Sequence, residues 1–371
     1  MRLKTEFMGL SLKNPILVAA GPWSRTPDRI QRSLDAGAAA VITETIAMEV
    51  RQNVRPWLYY KNGGYENTRM YSDHALEEWM QFIKKIKSDG GTVIASVMAH
   101  SPSEMAYISK SVCKAGADAI ELGVSIPHGE SVAVMGSNPE YLYNSIKRVV
   151  QTVDIPVMVK FSPHVTNITA LAKVVEDAGA ASISAIDTVR SILGVDLERQ
   201  RPLLQTYGGL SGPPIKPIGL ATVASIAQSV DIDVCGIGGI ETYSDVLEYM
   251  MLGASAVQIG SGLLNKGVHV IDEVIQDLDQ WLSRKNYKVS DVVGAALGGL
   301  KPIDDMEVLP YRAVVTGNCP LEACNMCAEG CVASAITIEA GAIKIDAKKC
   351  IGCGLCVSKC KNGCIELSWR F

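Results

Sequence analysis

Short apolar runs rich in Val, Ile and Ala recur through roughly the first 300 residues, and each is followed by a helix-length segment whose apolar positions return every three or four residues. Runs of four or five such residues bounded by turn signals predict buried strands, and the segments between them predict amphipathic helices. Eight strand cores follow: Ile16 to Ala20, Ala39 to Thr43, Val93 to Val97, Ala119 to Leu122, Val157 to Lys160, Ala181 to Ala185, Val234 to Gly238 and Ala256 to Ile259. Eight βα units over this length suit an α/β fold, a (β/α)8 TIM barrel. An open doubly wound sheet is the competing architecture, but it would place a glycine-rich fingerprint after the first strand, where this chain reads AAGPWSRTP.

In such barrels the chemistry lies on the loops at the C-terminal strand ends, with phosphate held by glycine turns after strands seven and eight. Strand seven runs into Gly236 to Ile240 and strand eight into Gly260-Ser261-Gly262. Missing side chains there let backbone N–H groups approach an anion.

Composition adds a second domain. With 371 residues and 48% hydrophobic content, one large core and a short appended module are both possible. We place the barrel at 1–305 and the module at 306–371. Nine of the eleven cysteines lie between Cys319 and Cys364, a clustering that suggests metal and not disulfides. Neither an apolar leader nor an 18-residue apolar run is present, so a cytoplasmic protein with no membrane partner is expected. A net charge of −4 without basic runs gives no reason to expect nucleic acid.

The run Cys350-x2-Cys353-x2-Cys356-x3-Cys360 has the spacing that wraps three thiolates around one cubane and lends the fourth to a neighbouring cluster. Cys319, Cys324, Cys327 and Cys331 form a second set with a longer first gap. Crossing the fourth ligands gives Cys319, Cys324, Cys327 and Cys360 for one [4Fe-4S] cluster, and Cys350, Cys353, Cys356 and Cys331 for the other, in a two-cluster ferredoxin-like domain. Val332 and Lys361 stand where a proline is usual, and Cys364 is a ninth thiol that could replace Cys360. Zinc is the competing occupant, but four-ligand zinc sites give no reason for a doubled run.

Asn14-Pro15 leading into Ala19-Ala20-Gly21, the stretch Tyr207 to Pro217 (YGGLSGPPIKP), and the Gly238-Gly239 and Gly260-Ser261 turns together resemble the dihydroorotate and dihydropyrimidine dehydrogenases. A barrel joined to a two-cluster tail ending in Gly363-Cys-Ile-Glu-Leu367 is most like the FMN- and iron-sulfur-bearing subunits of bacterial NAD-dependent dihydropyrimidine dehydrogenases. The resemblance implies FMN, with Ala19, Ala20 and Gly21 along the flavin, Glu44 and Thr45 beside it, and Gly212, Gly238, Gly239, Gly260 and Ser261 at its ribityl and phosphate. It also implies that Lys160 meets the flavin N1 and O2 edge, where an ammonium favours the reduced form.

The substrate positions depart from the family. Glu44-Thr45 stands where the family has Lys-Thr, Gly123 where it has asparagine, and Asp187-Thr188 where the pyrimidine enzymes have Asn-Thr, while Asn67 keeps its amide. In the loop Ser125 to Asn138, the family's cysteine or serine acid/base aligns with Met135, which has no proton to give. His128 is the preferred substitute by its ordinary pKa, with Glu130, Ser131 and Ser137 as neighbours.

The resemblance therefore implies an oxidoreductase that moves electrons between an external donor, two clusters, FMN and a CH–CH bond of a small cyclic substrate. Glu44 and Asp187 suggest a substrate richer in donors than uracil, or a cationic one. An electron-transfer or assembly subunit with an inactive barrel is one alternative, and dihydroorotate oxidation is another. No G-x-G-x-x-G opens a βαβ unit, so a separate NAD(P)H/FAD reductase subunit or a ferredoxin is implied as partner. A homo-oligomer is also expected.

Overall fold

The computed structural model describes residues 2–50, 53–124, 136–317, 319, 326–339 and 342–369. The chain divides into two compact units, Met1–Leu300 and Lys301–Phe371.

In the first unit eight parallel strands close into a barrel: β1 Ile16–Val18, β2 Ala40–Ile42, β3 Val93–Val97, β4 Ala119–Gly123, β5 Val157–Phe161, β6 Ser182–Ala185, β7 Asp233–Ile237 and β8 Ala256–Ile259. The closed barrel predicted from the hydrophobic pattern is thus present. Each strand is short and buried on both faces, so alternate residues feed two different cores. Outward residues such as Ile16, Val41, Val159 and Val257 pack in the cluster shared with the helices, while Leu17, Ala40, Ile94, Met158 and Ala256 pack inside the barrel.

Thr26, Ser101 and Asn138 each precede a proline at the first helical turn, and each side-chain oxygen accepts the N–H three residues on. A hairpin of Thr5–Phe7 and Leu10–Leu12 drives Phe7, Met8 and Leu12 into the interior cluster and so fills one end of the barrel.

A second sheet was not foreseen. Val189–Ser191, Gly208–Ser211, Gly64–Asn67 and Leu58–Lys61 pair in that order, all antiparallel, on segments inserted after β2 and β6. These strands are three or four residues long and rich in Gly and polar groups, so their sequence reads as loop. Their contact is specific: a Cβ on Gly208 would lie 2.4 Å from Glu66 Cγ. Glu66 itself is buried and accepts from Ser191 Oγ and the Leu193 N–H.

The second unit repeats one pattern of strand, cysteines, helix and strand. Arg312–Val315 pairs with Ile365–Ser368, and Ile336–Glu339 pairs with Ala342–Ile345, both antiparallel. Short helices at Met326–Glu329 and Leu355–Lys359 complete the two halves. Among the described residues no helix is long and apolar enough to cross a membrane.

Candidate functional site

Two adjoining recesses open at the C-terminal ends of the barrel strands, of about 740 and 670 Å³, and they share Ala20, Gly21, Asn67, Lys160, Asp187 and Thr188 in their walls. They form one cleft with two arms.

The first arm is lined by Gly212, Gly238, Gly239, Gly260 and Ser261 together with Ala19, Trp23 and Ile215. The chain takes left-handed conformations at Gly212, Gly238 and Gly239. Gly239 cannot be replaced without displacing backbone, because an added Cβ would lie 2.9 Å from both the Gly212 carbonyl oxygen and Pro213 Cα. None of the hydrogen bonds among the described residues uses the backbone N–H of Gly238, Gly239, Gly260 or Ser261. These four residues line one recess, and amides with no partner among the described residues could there take an anion. Tyr249, fully buried, fixes the first turn by donating to the carbonyls of Ile237 and Gly238.

The floor of the cleft is polar. Lys160 Nζ on β5 lies 3.5 Å from Glu121 Oε1 on β4, and Ser184 and Gln258 both donate to Glu121 Oε2. Burial pushes the Lys160 ammonium down, but Glu121 and then Asp187 outweigh it and hold the group above the ordinary lysine range.

The second arm carries Glu44, Thr45, Asn67, Arg69, Met70, Tyr71 and Met98. Glu44 is not the bare carboxylate that the sequence suggests. Arg69 Nε lies 2.8 Å from Glu44 Oε1, and its Nη2 donates to Glu44 Oε2 at 3.0 Å and to Asp73 at 2.9 Å. Asp73 in turn receives both Nη2 and Nε of Arg25. Burial holds the Glu44 carboxyl above its usual value, with Arg69 opposing. Asn67 faces Arg69 differently, accepting the Arg69 backbone N–H. Thr45 bonds Ser96, and Asp187 caps the N–H of Thr188.

Gly123 ends β4 beside Met98, whose Cε is only 2.9 Å from where a Cβ would stand. A side chain at 123 would therefore need the flexible Met98 thioether to move aside. Met98, Met70, Tyr71 and Ala47 form a small apolar cluster on this wall.

The structure thus brings Ala19, Ala20, Gly21, Glu44, Thr45, Asn67, Lys160, Asp187, Thr188, Gly212, Gly238, Gly239, Gly260 and Ser261 around one cleft. His128, Glu130, Ser131 and Met135 lie outside the described residues, and Ser137 is exposed. Sequence reasoning missed Arg69, Met98 and the Glu121 network. A signal for the last existed: Glu121 and Gln258 are lone polar residues inside otherwise apolar strand runs.

In the second unit Cys331, Cys350, Cys353 and Cys356 line one small recess. Among the described residues no three such side chains converge tightly enough for a single ion. Backbone N–H groups of Ala313, Ala335 and Cys364 donate to the sulfurs of Cys350, Cys331 and Cys360. At Cys360 that hydrogen bond holds the thiol below its ordinary value, toward the thiolate a cluster needs. Cys364 is buried and Cys324 lies outside the described residues.

Residues 2–282 match the family model described as dihydroorotate dehydrogenase, and residues 343–366 match that of a 4Fe-4S binding domain. The chain is 36% identical over 299 residues to the catalytic subunit of dihydroorotate dehydrogenase B (NAD(+)) of Pyrococcus abyssi, covering 80% of this chain and 99% of that one. Subunits of the same description are 34% identical in Methanocaldococcus jannaschii (79% and 98% covered) and 33% identical in Thermoplasma acidophilum (80% and 99% covered).

Proposed function

The chain belongs to the dihydroorotate dehydrogenase family, and from that premise we propose that it is an FMN-dependent oxidoreductase acting on a CH–CH bond of a small cyclic substrate, with two [4Fe-4S] clusters linking FMN to a separate reductase subunit or ferredoxin. The observation that carries this reading is that Gly238, Gly239, Gly260 and Ser261, whose backbone N–H groups have no partner among the described residues, line the same cleft as Lys160 and the Glu44–Arg69 pair.

Those four amides would hold the FMN phosphate, and Ala19, Ala20 and Gly21 would run along the flavin. When bound, FMN supplies hydride exchange at N5 between substrate carbon and electron carrier. The chain's own residues do the rest. Lys160 places a fixed positive charge at the cleft floor, where it stabilises negative charge that develops above it. Thr45, Asn67, Asp187 and Thr188 present donors and acceptors to the polar edge of the substrate, and the Met98 wall takes its apolar side. His128 is proposed as the loop acid/base in place of Met135. Cys319, Cys324, Cys327 and Cys360 would hold one cluster, and Cys331, Cys350, Cys353 and Cys356 the other. The two functions would fall on either side of the division between the compact units at Leu300 and Lys301.

Arg69 bears on the substrate. With Glu44 occupied by a guanidinium, a carboxylate-bearing ring such as dihydroorotate no longer faces an unopposed negative charge. This favours dihydroorotate as a second reading beside an altered dihydropyrimidine. Reducing the flavin anaerobically and following its reoxidation by orotate, uracil and thymine tests both readings. Faster reoxidation by orotate supports the second, and no response to any unsaturated ring, in a protein loaded with FMN, would favour an electron-transfer or assembly subunit.

A further inference from the structure

Glu121, with no exposed side-chain surface, stands on β4 at the floor of the cleft. An ionised carboxylate removed from water costs several kcal/mol unless its lone pairs are satisfied. Three other strands satisfy it. Ser184 Oγ on β6 donates to Oε2 at 2.9 Å, and Gln258 Nε2 on β8 donates to the same oxygen at 2.8 Å. Those two neutral groups anchor one oxygen and leave Oε1 facing Lys160 Nζ at 3.5 Å. That spacing leaves the ammonium with donors for the cleft that Lys160 lines.

We propose that Glu121 is a positioning residue that holds Lys160 as an ammonium, aimed at the cleft where the flavin would lie. This rests on the reading that places Lys160 at the flavin edge. Every charged or titratable neighbour fits the role. Burial alone would drive Lys160 toward the neutral amine; Glu121 provides the largest opposing effect, Asp187 the next, and Cys235 from β7 is itself held protonated by burial. Without Glu121, Asp187 alone would face a buried amine, with Ser184 and Gln258 left as neutral bystanders.

The test uses the full chain loaded with FMN and counts protons taken up per two electrons in an anaerobic potentiometric titration between about pH 7 and 9. Wild type should take up one proton, because Lys160 is charged before reduction. Glu121→Gln should take up two, one on the flavin and one returning to the Lys160 amine, and Glu121→Gln with Lys160→Met should return to one. A count of one in Glu121→Gln across the range overturns the proposal.

A second measurement does not need flavin. In the wild type, Lys160 is charged both folded and unfolded over this range, so it adds no pH slope to stability. In Glu121→Gln its folded value falls below the unfolded one, the native state binds fewer protons, and stability should rise with pH. The single variant should also be less stable than the double one. Equal loss in both, without a pH slope, overturns the proposal. A coupled stability cycle with two protons already taken up by wild type would instead fault the placement of Lys160 at the flavin.

Discussion

The barrel mouth and the cysteine unit reach their chemistry by opposite routes. In the cysteine unit the ligand candidates sit a few residues apart, and one cavity gathers Cys350, Cys353 and Cys356 with only Cys331 brought from a distance. At the barrel mouth, Glu121, Lys160, Ser184 and Gln258 come from four strands and meet only because the sheet closes. A cluster site can be built on local spacing because a large polydentate group organises the loop around itself. A flavin and substrate site must be shaped beforehand by the scaffold.

If that contrast is right, the two units should lose function independently. The largest expected effect is Cys353→Ser, which should remove one cluster, about four irons and four labile sulfides, and leave FMN bound. Iron, sulfide and flavin analysis checks this, and loss of flavin together with iron would break the contrast. Conversely, Gly239→Val should lower FMN affinity by at least ~100-fold while iron content holds, since its branched Cβ meets backbone at 2.9 Å in a left-handed residue. Retained flavin in a folded variant would show that the phosphate lies elsewhere.

The fold was legible from residues whose pattern is local. Short apolar runs bounded by turn signals located all eight barrel strands. The glycine turns were legible because glycine itself signals close approach. The sheet holding Asn67 and Gly208–Ser211 was not, since its strands are too short and polar to show a period. Nor was Arg69, because nothing in the spacing of Glu44 and Arg69 reveals that they pair. Because of that pairing, Glu44→Lys alone would set two cations side by side, so converting this edge toward the family pattern requires changing Arg69 as well.

Smaller effects sharpen the substrate arm. Uracil should be turned over well below about 1 per second, because Gly123 lacks the amide of the family asparagine and Asp187 replaces a donor-acceptor amide with an acceptor. Steady-state rates typical of an enzyme on its own substrate would contradict this. Arg69→Gln should cost on the order of 3 kcal/mol of barrel stability by leaving Glu44 buried without its partner. Denaturant unfolding measures it, and a loss under about 0.5 kcal/mol would mean that the pair is solvent-screened. The weakest effect concerns pH. The folded Glu44 carboxyl lies above its unfolded value of 4.5, so its contribution is full below 4.5 and is lost as pH rises from there through the folded value, and Glu44→Gln should flatten the stability profile over that window.

The most direct test of the whole account is the cofactor content of the protein purified without oxygen. One FMN with about eight irons and eight acid-labile sulfides per chain is the predicted result. Stoichiometric zinc without labile sulfide, or a folded barrel that takes up no FMN, would contradict it.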